Sequence, residues 1–496
     1  MSPVLVVSVI LSYFLVLVLI SFKTAGKSDS AAFFTGNRQS PWYVVSFGMI
    51  GASLSGITFI SVPGMVAASH FSYMQMVLGY LIGYLVIATV LMPLYYKLNL
   101  ISIYSYLEKR FGFWSYKTGS FYFLISRVIG ASLRLFVVAG VLQLAVFDAW
   151  GMPYWVSVLI TIVLIWIYTF RGGIKTIVWT DTLQTFFMLS SVVVIVYYVT
   201  SGFDWSLSEV TSQIKASEYS KMFFWDWKDS QNFFKQFFAG VFIAIVMTGL
   251  DQDMMQKNLT CKNIGEAQKN MFWFSISLIF ANLLFLSLGV LLFIYAATNE
   301  IGIPSKPDDL FPFLALNYFP PVVGIIFLLG ITAAAYSSAD SALTSLTTSF
   351  CVDFLGFEPG VKGENRTRVQ IHAAFSVLLF FVILLFNLIN DESVINSLLS
   401  ISGYTYGPLL GLFAFGLFTK RSVNDKLVPI ISVISPMISY ILKLNAPDWF
   451  WGYQIGFELL IINGLFTFIG LLLISRRGEQ DALIARVPSP DPITMH

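Results

Sequence analysis

Charge is what this sequence has least of. Asp, Glu, Lys and Arg make up 11% of its 496 residues, against 57% in the hydrophobic set. A soluble domain of this length carries far more charge, so the class is an all-α polytopic membrane protein. Cysteine is nearly absent: Cys261 and Cys351 stand far apart. That excludes a disulfide framework and any zinc-type spacing. His70, His372 and His496 show no pairing, so nothing points to a metal centre. The net charge is +2 and no basic run occurs, so no nucleic-acid partner is expected. The first apolar run, Val4 to Ile20, has no basic segment before it; Lys23 and Lys27 follow instead. A cleaved signal peptide has the opposite charge order, so a retained first helix with its N-terminus outside is expected.

What is present in abundance is long apolar runs. They fall at roughly 3–22, 41–68, 72–96, 118–149, 153–170 and 174–201, then 233–256, 268–297, 320–352, 366–389, 393–419, 426–443 and 452–475. These predict about thirteen spans, with the two termini on opposite sides. Basic residues gather in the segments that an outside N-terminus puts inside. Among them are Lys23, Lys27, Lys97, Lys109, Arg110, Lys257, Lys262, Lys269, Lys362, Arg366, Arg476, Arg477 and Arg486. The outer segments hold Lys215, Lys221, Lys228, Lys306 and Lys443. The positive-inside rule therefore gives N-out, C-in. Lys235 lies near a helix start and is expected to snorkel to the outer interface. The 202–232 loop, with "MFFWDW" at 222–227, reads as an interfacial aromatic segment, and the tail after Arg477 as a short polar end without an appended domain.

Polar residues inside such runs need partners, because hydroxyls and carboxylates left alone in hydrocarbon cost several kcal/mol each, roughly. The ninth span carries "AAAYSSADSALTS" at 333–345. Ala334, Ser337 and Ser338 share one helix face, Ser341 and Ser345 extend the stripe, and Asp340 flanks it. Such oxygens suit a hard monovalent cation. Single serines instead bond to carbonyls one turn back or permit close packing. The second span, "GMIGASLSGITFISVPG" at 48–64, is rich in poor helix formers. It reads either as a broken helix with carbonyls free for a cation, or as a small-residue packing face.

Asp181, in "GGIKTIVWTDTLQ", lies some two turns into the sixth span, about 10 Å from its inner end at 1.5 Å per residue; Ser341 comes out at roughly 16 Å by the same rise. The depths are compatible, so Asp181 is the expected partner of the serine stripe. Arg127 and Arg134 lie seven apart on one face of the fourth span. Guanidinium holds its charge and grips carboxylates by a fork. A structural acid is expected for Arg127; Arg134 is open to a structural acid or an anionic substrate.

Taken together and in order, "RGGIKTIVWTDTLQ" at 171–184, "DQDMMQKNL" at 251–259, "AAAYSSADSALTS" at 333–345 and "GYTYGPLLGLFAFGLFTKR" at 403–421 resemble the sodium:solute symporter family. The resemblance runs from the second span to about residue 420. It implies the LeuT fold: a leading helix and inner loop (1–40), inverted five-helix repeats at 41–201 and 233–419 around the outer loop 202–232, two trailing helices (420–475) and a cytoplasmic tail (476–496). "IGASLSG" and "MTGLDQD" become equivalent broken helices. The family's common Na+ site falls on carbonyls of Gly51, Leu54 and Ala334 and hydroxyls of Ser337 and Ser338. A second Na+ site, present in some members, falls on Asp181 and Ser341, with Ser337 and Asp340. Asp340 departs from the small or hydroxyl residue of many relatives, which leaves one or two Na+ open.

"LSGITF" at 54–59 and "RLFVVAGVLQLAV" at 134–146 are locally most similar to the sialic acid branch. That likeness implies Ser55, Thr58 and Arg134 as holders of a substrate carboxylate, with Gln75 and Asp251 as lining positions. The resulting expectation is a Na+-coupled symporter of the plasma membrane, importing a small carboxylated solute by alternating access, with lipid around it and no obligate protein partner. A symporter of sugars or other neutral solutes is the alternative, and a channel or ligand sensor a more distant one. No nucleophile, metal or phosphate-binding pattern points to an enzyme.

Overall fold

A computed structural model describes residues 3–24, 34–357, 365–389 and 394–476. The expectations for Lys27, Lys362 and the tail from Arg477 onward lie outside the described residues. The membrane helices, in chain order, are α1 (Pro3–Thr24), α2 (Trp42–Ser69), α3 (Tyr73–Lys97), α4 (Phe113–Trp150), α5 (Tyr154–Thr169), α6 (Gly173–Ser201), α7 (Phe233–Gly249 with Gln252–Asn258) and α8 (Ile264–Thr298). They continue as α9 (Pro321–Phe354), α10 (Arg366–Ile389), α11 (Val394–Thr405 with Gly407–Phe418), α12 (Asp425–Trp449) and α13 (Leu459–Leu473). Among the described residues, up to 11 of these are long and apolar enough to cross a membrane, and α5 and α13 are shorter apolar helices. Each stands on one of the apolar runs. A helix closes its own backbone hydrogen bonds, the condition for crossing hydrocarbon. The only strands described are Ser422–Val423 and Ser475–Arg476, a small antiparallel ribbon.

Burial separates the helices into a centre and a shell. In α2 and α9, 89% and 78% of the most apolar stretch is buried, against 22% in α10 and α12. The shell turns Phe381, Leu385, Ile430 and Met437 outward, where lipid has to cover them. The centre is held by close approach of small residues. A Cβ on Gly51 of α2 would meet Thr185 Oγ1 of α6 at 2.2 Å, so only glycine fits there.

The two helices that the family resemblance pairs as broken, α2 and α7, are both interrupted, and α11 is bent as well, by 45° between Thr405 and Gly407. In α2 the break is at Ser55 (φ 36, ψ 171), a backbone conformation that a non-glycine residue adopts only under constraint. In α7 the two halves meet at 70°. Asp251 caps the second half, accepting from the amides of Asp253 (3.0 Å) and Met254 (3.3 Å). α5 and α6 form one helical run interrupted at Gly173 (φ 55, ψ −167), a backbone state natural to glycine.

The bend in α7 corrects one expectation. Lys257, counted among the inner-loop charges, is buried to 1% exposure. The half-helix Gln252–Asn258 turns into the protein instead of leading out of it. Lys235, by contrast, reaches the surface as expected, its Nζ meeting the Gln454 carbonyl (3.1 Å) and the Tyr453 ring. The loop at 222–227 exposes Trp225 and Trp227, and Trp225 packs on Phe233.

Candidate functional site

Where α2, α3, α4, α7, α8 and α11 meet, a cavity of about 80 Å³ opens beside the Ser55 break. Ser55, Thr58 and Arg134 all line it, three residues that the sequence likeness grouped. Arg127 lines it too, but its guanidinium is engaged: it forms an ion pair with Asp253, and its Nη1 lies 4.0 Å from Asp251 Oδ2. The structural acid expected for Arg127 is therefore Asp253. Asp251 accepts a 2.5 Å hydrogen bond from the Tyr406 hydroxyl and does not line the cavity.

Arg134 is different. It is buried to 6% exposure, and its Nε and Nη1 find no hydrogen-bond partner. A fixed cation with free donors, held against a cavity, fits an anion. Gln75 lies elsewhere: its amide donates to the carbonyls of Ser72 (3.2 Å) and Gln231 (2.9 Å) and accepts from the Phe224 amide (3.2 Å). It pins the 202–232 loop to α3 and has no place in the cavity wall.

Sequence reasoning missed Tyr73, Tyr80 and Tyr84, which bring aromatic faces and hydroxyls to the same wall, and Asn282 and Thr248 opposite. The tyrosines sit at i, i+7 and i+11, one stripe of α3. Such a stripe more often packs a core, which is why the spacing alone did not single it out.

The chamber is smaller than the roughly 300 Å³ at which ligand pockets begin. One turn further along α2, α4 and α11, a second cavity of about 500 Å³ is lined by Ile60, Val137, Gly140 and Val394, with Asp308 and Asp309 at its rim.

Below the Ser55 break lies a cluster of oxygens. Ser338 Oγ on α9 stands 3.4 Å from the Ala52 carbonyl of α2 and 3.4 Å from the Ala334 carbonyl. A helix interruption strips the carbonyls of the preceding turn of regular partners, and that turn holds Gly51, Ala52 and Leu54. Both Ser337 and Ser338 are fully buried. Of the five common-site positions, Ala334 and Ser338 meet on α9; the α2 carbonyl that Ser338 reaches belongs to Ala52, which the sequence did not single out, and the Ser337 hydroxyl turns to α6.

Asp181 on α6 meets the same stripe one turn on. Ser337 donates to Asp181 Oδ1 (2.8 Å), and Ser341 to Asp181 Oδ2 (3.5 Å). Asp340 turns the other way: its Oδ2 accepts from the Tyr168 hydroxyl (3.0 Å) and its Oδ1 from the Ser341 amide (2.6 Å). Ser341 Oγ lies between the two carboxylates, 3.3 Å from Asp340 Oδ1, while its shortest hydrogen bond goes to the Ser337 carbonyl (2.9 Å). The remaining member was not foreseen. Lys257 Nζ lies 2.7 Å from Asp181 Oδ2.

With this geometry in view, the similarities to known proteins are specific. The model of the sodium:solute symporter family matches residues 33–426. The chain belongs to that family. It is therefore a Na+-coupled secondary transporter of a small solute, not an enzyme, and a multi-pass membrane protein. It is 28% identical over 464 residues to the sodium/sialic acid symporter NanT of Aliivibrio fischeri, covering 90% of this chain and 89% of that one. To the sodium/sialic acid symporter SiaT of Proteus mirabilis it is 25% identical over 452 residues, 88% of each. A solved Na+-coupled sialic acid symporter, outward-open and substrate-bound, superposes with a TM-score of 0.79 at 21% identity, covering 94% of this symporter and 97% of that chain. The nucleobase-cation symporter Mhp1, in a closed conformation, gives 0.53 at 16% identity, covering 91% and 94%. The fold of this symporter is the LeuT fold.

Proposed function

We propose that the symporter imports a carboxylated solute of the sialic acid class together with Na+, by alternating access between two inverted repeats (41–201 and 233–419), with the N-terminus outside. One observation carries the substrate class: Arg134 lines the cavity beside Ser55 and Thr58, and two of its guanidinium nitrogens are buried without a partner. The names of the relatives NanT and SiaT support the same class. Na+ would lie between the α2 carbonyls of Gly51 and Leu54 and the Ala334, Ser337 and Ser338 oxygens of α9. Bound there, it ties the broken helix to its neighbour and fixes the turn that carries Ser55. Part of the ordering needed to hold substrate is then already done, and by linkage substrate tightens Na+ in return. Rocking of one bundle against the other exposes the chamber to the opposite side.

The carboxylate is the testable part. In proteoliposomes, uptake of labelled N-acetylneuraminic acid should be displaced by other sialic acids and hardly at all by their methyl esters, which keep shape and lose charge. Equal competition by acid and ester would instead place Arg134 outside recognition and favour a neutral solute.

A further inference from the structure

The ammonium of Lys257 stands where a second coupling ion would need to be. Lys257 and Asp181 are each buried to 1% exposure or less, and their 2.7 Å ion pair lies within the cluster formed by Ser337 and Ser341. Asp181 Oδ1 accepts from the Ser337 hydroxyl, and Oδ2 pairs with Lys257 Nζ; Ser341 Oγ lies 3.5 Å from Oδ2, with a shorter hydrogen bond to the Ser337 carbonyl at 2.9 Å. A Na+ held by Asp181 and Ser341 would sit within a few ångströms of Nζ, and two positive charges so close in a buried setting repel strongly. The side chain has no route to water by snorkelling, because the half-helix Gln252–Asn258 that carries it is itself buried throughout. Apart from the ion pair, no oriented hydrogen bond engages Nζ. An ammonium aimed into an oxygen cluster, with donors to spare, is doing what a bound cation would do.

We propose that Lys257 is a tethered cation that fills the Asp181–Ser341 site, so that this symporter binds a single Na+, at the Ser337–Ser338 site between α2 and α9. The inference rests on the Na+-coupled reading and deepens it. A tethered charge does not cross the membrane with the solute. One Na+ carried with a monoanion then moves no net charge, whereas two would move one.

Equilibrium binding of radiolabelled Na+ to the purified full-length protein tests this without any organic substrate. The wild type should bind one Na+ per chain with no cooperativity. Lys257→Ala unpairs Asp181 and should raise the count to two. Lys257→Arg, which keeps the cation, should stay at one, and Lys257→Ala combined with Asp181→Asn should return to one. Two Na+ on the wild type, or one on Lys257→Ala protein that remains monodisperse, would overturn the proposal. If Lys257→Ala does not fold, Lys257→Gln takes its place, and the wild-type count alone can still contradict the idea. No Na+ on the wild type would instead remove the Na+-coupled reading itself, so the two failures are distinct.

Discussion

Arg134→Met is expected to weaken apparent affinity for a carboxylated substrate by about a hundredfold without making the folded protein less stable. The two halves of that expectation come from one fact. Arg134 is buried, and two of its nitrogens have no hydrogen-bond partner within the protein. Removing one partner of a buried, hydrogen-bonded charge pair costs about 2–5 kcal/mol, on the order of thirtyfold or more in affinity. In the substrate-free protein no such pair exists, so methionine removes an uncompensated charge and keeps the volume. Thermal denaturation of the apo variant should give a midpoint equal to or above that of the wild type, while the concentration for half-maximal uptake rises. A lower midpoint with unchanged uptake would show that the residue is structural. Arg134→Lys should recover little, because a point charge cannot reproduce the planar fork. Arg127→Met should behave in the opposite way. Its partner Asp253 would be left buried without a counter-ion, so stability falls first.

The second large effect is expected at Ser338. Ser338→Ala removes a hydroxyl that stands 3.4 Å from the Ala52 carbonyl, where α9 reaches the interrupted turn of α2 by hydrogen bond. Losing an oxygen that faces a charged partner costs about 1.5–3 kcal/mol, so the Na+ concentration for half-maximal uptake should rise by roughly tenfold or more. Ser338→Thr keeps the oxygen and should stay near the wild type. Linkage adds a finer signature. At low Na+ the alanine variant should need more substrate, and at saturating Na+ the difference should shrink. Titrating uptake against Na+ at several fixed substrate concentrations separates this from simple misfolding, which lowers the maximal rate at every Na+ concentration.

The apolar runs and the serine stripe were legible for the same reason. A membrane interior penalises every unpartnered polar group, so polar residues there are few and their helical spacing is readable. Depth counting made Asp181 the expected partner of the serine stripe, and its carboxylate lies against Ser337 and Ser341; the Ser55 break falls inside "IGASLSG". Lys257 shows the limit. A lysine following "DQDMMQ" near the end of an apolar run reads as an inner-loop charge, and only the 70° turn of α7 carries it to Asp181. Spacing gives the face of a helix, but not where a broken helix points after its break. The acid for Arg127 was anticipated in kind, yet the choice between Asp251 and Asp253 depends on how the half-helix after the break presents them, Asp251 as its cap and Asp253 in its first turn. Gln75 failed for a related reason: its partners come from Gln231 and Phe224, across a loop whose path no periodicity records.

Na+-driven accumulation in proteoliposomes reaches the central claim most directly. With purified protein and an inward Na+ gradient, labelled N-acetylneuraminic acid should rise inside above its outside concentration, then fall back as the gradient decays. Replacing external Na+ with K+ should abolish the rise. Uptake that proceeds equally in Na+-free buffer, or that never exceeds equilibration, would contradict the account.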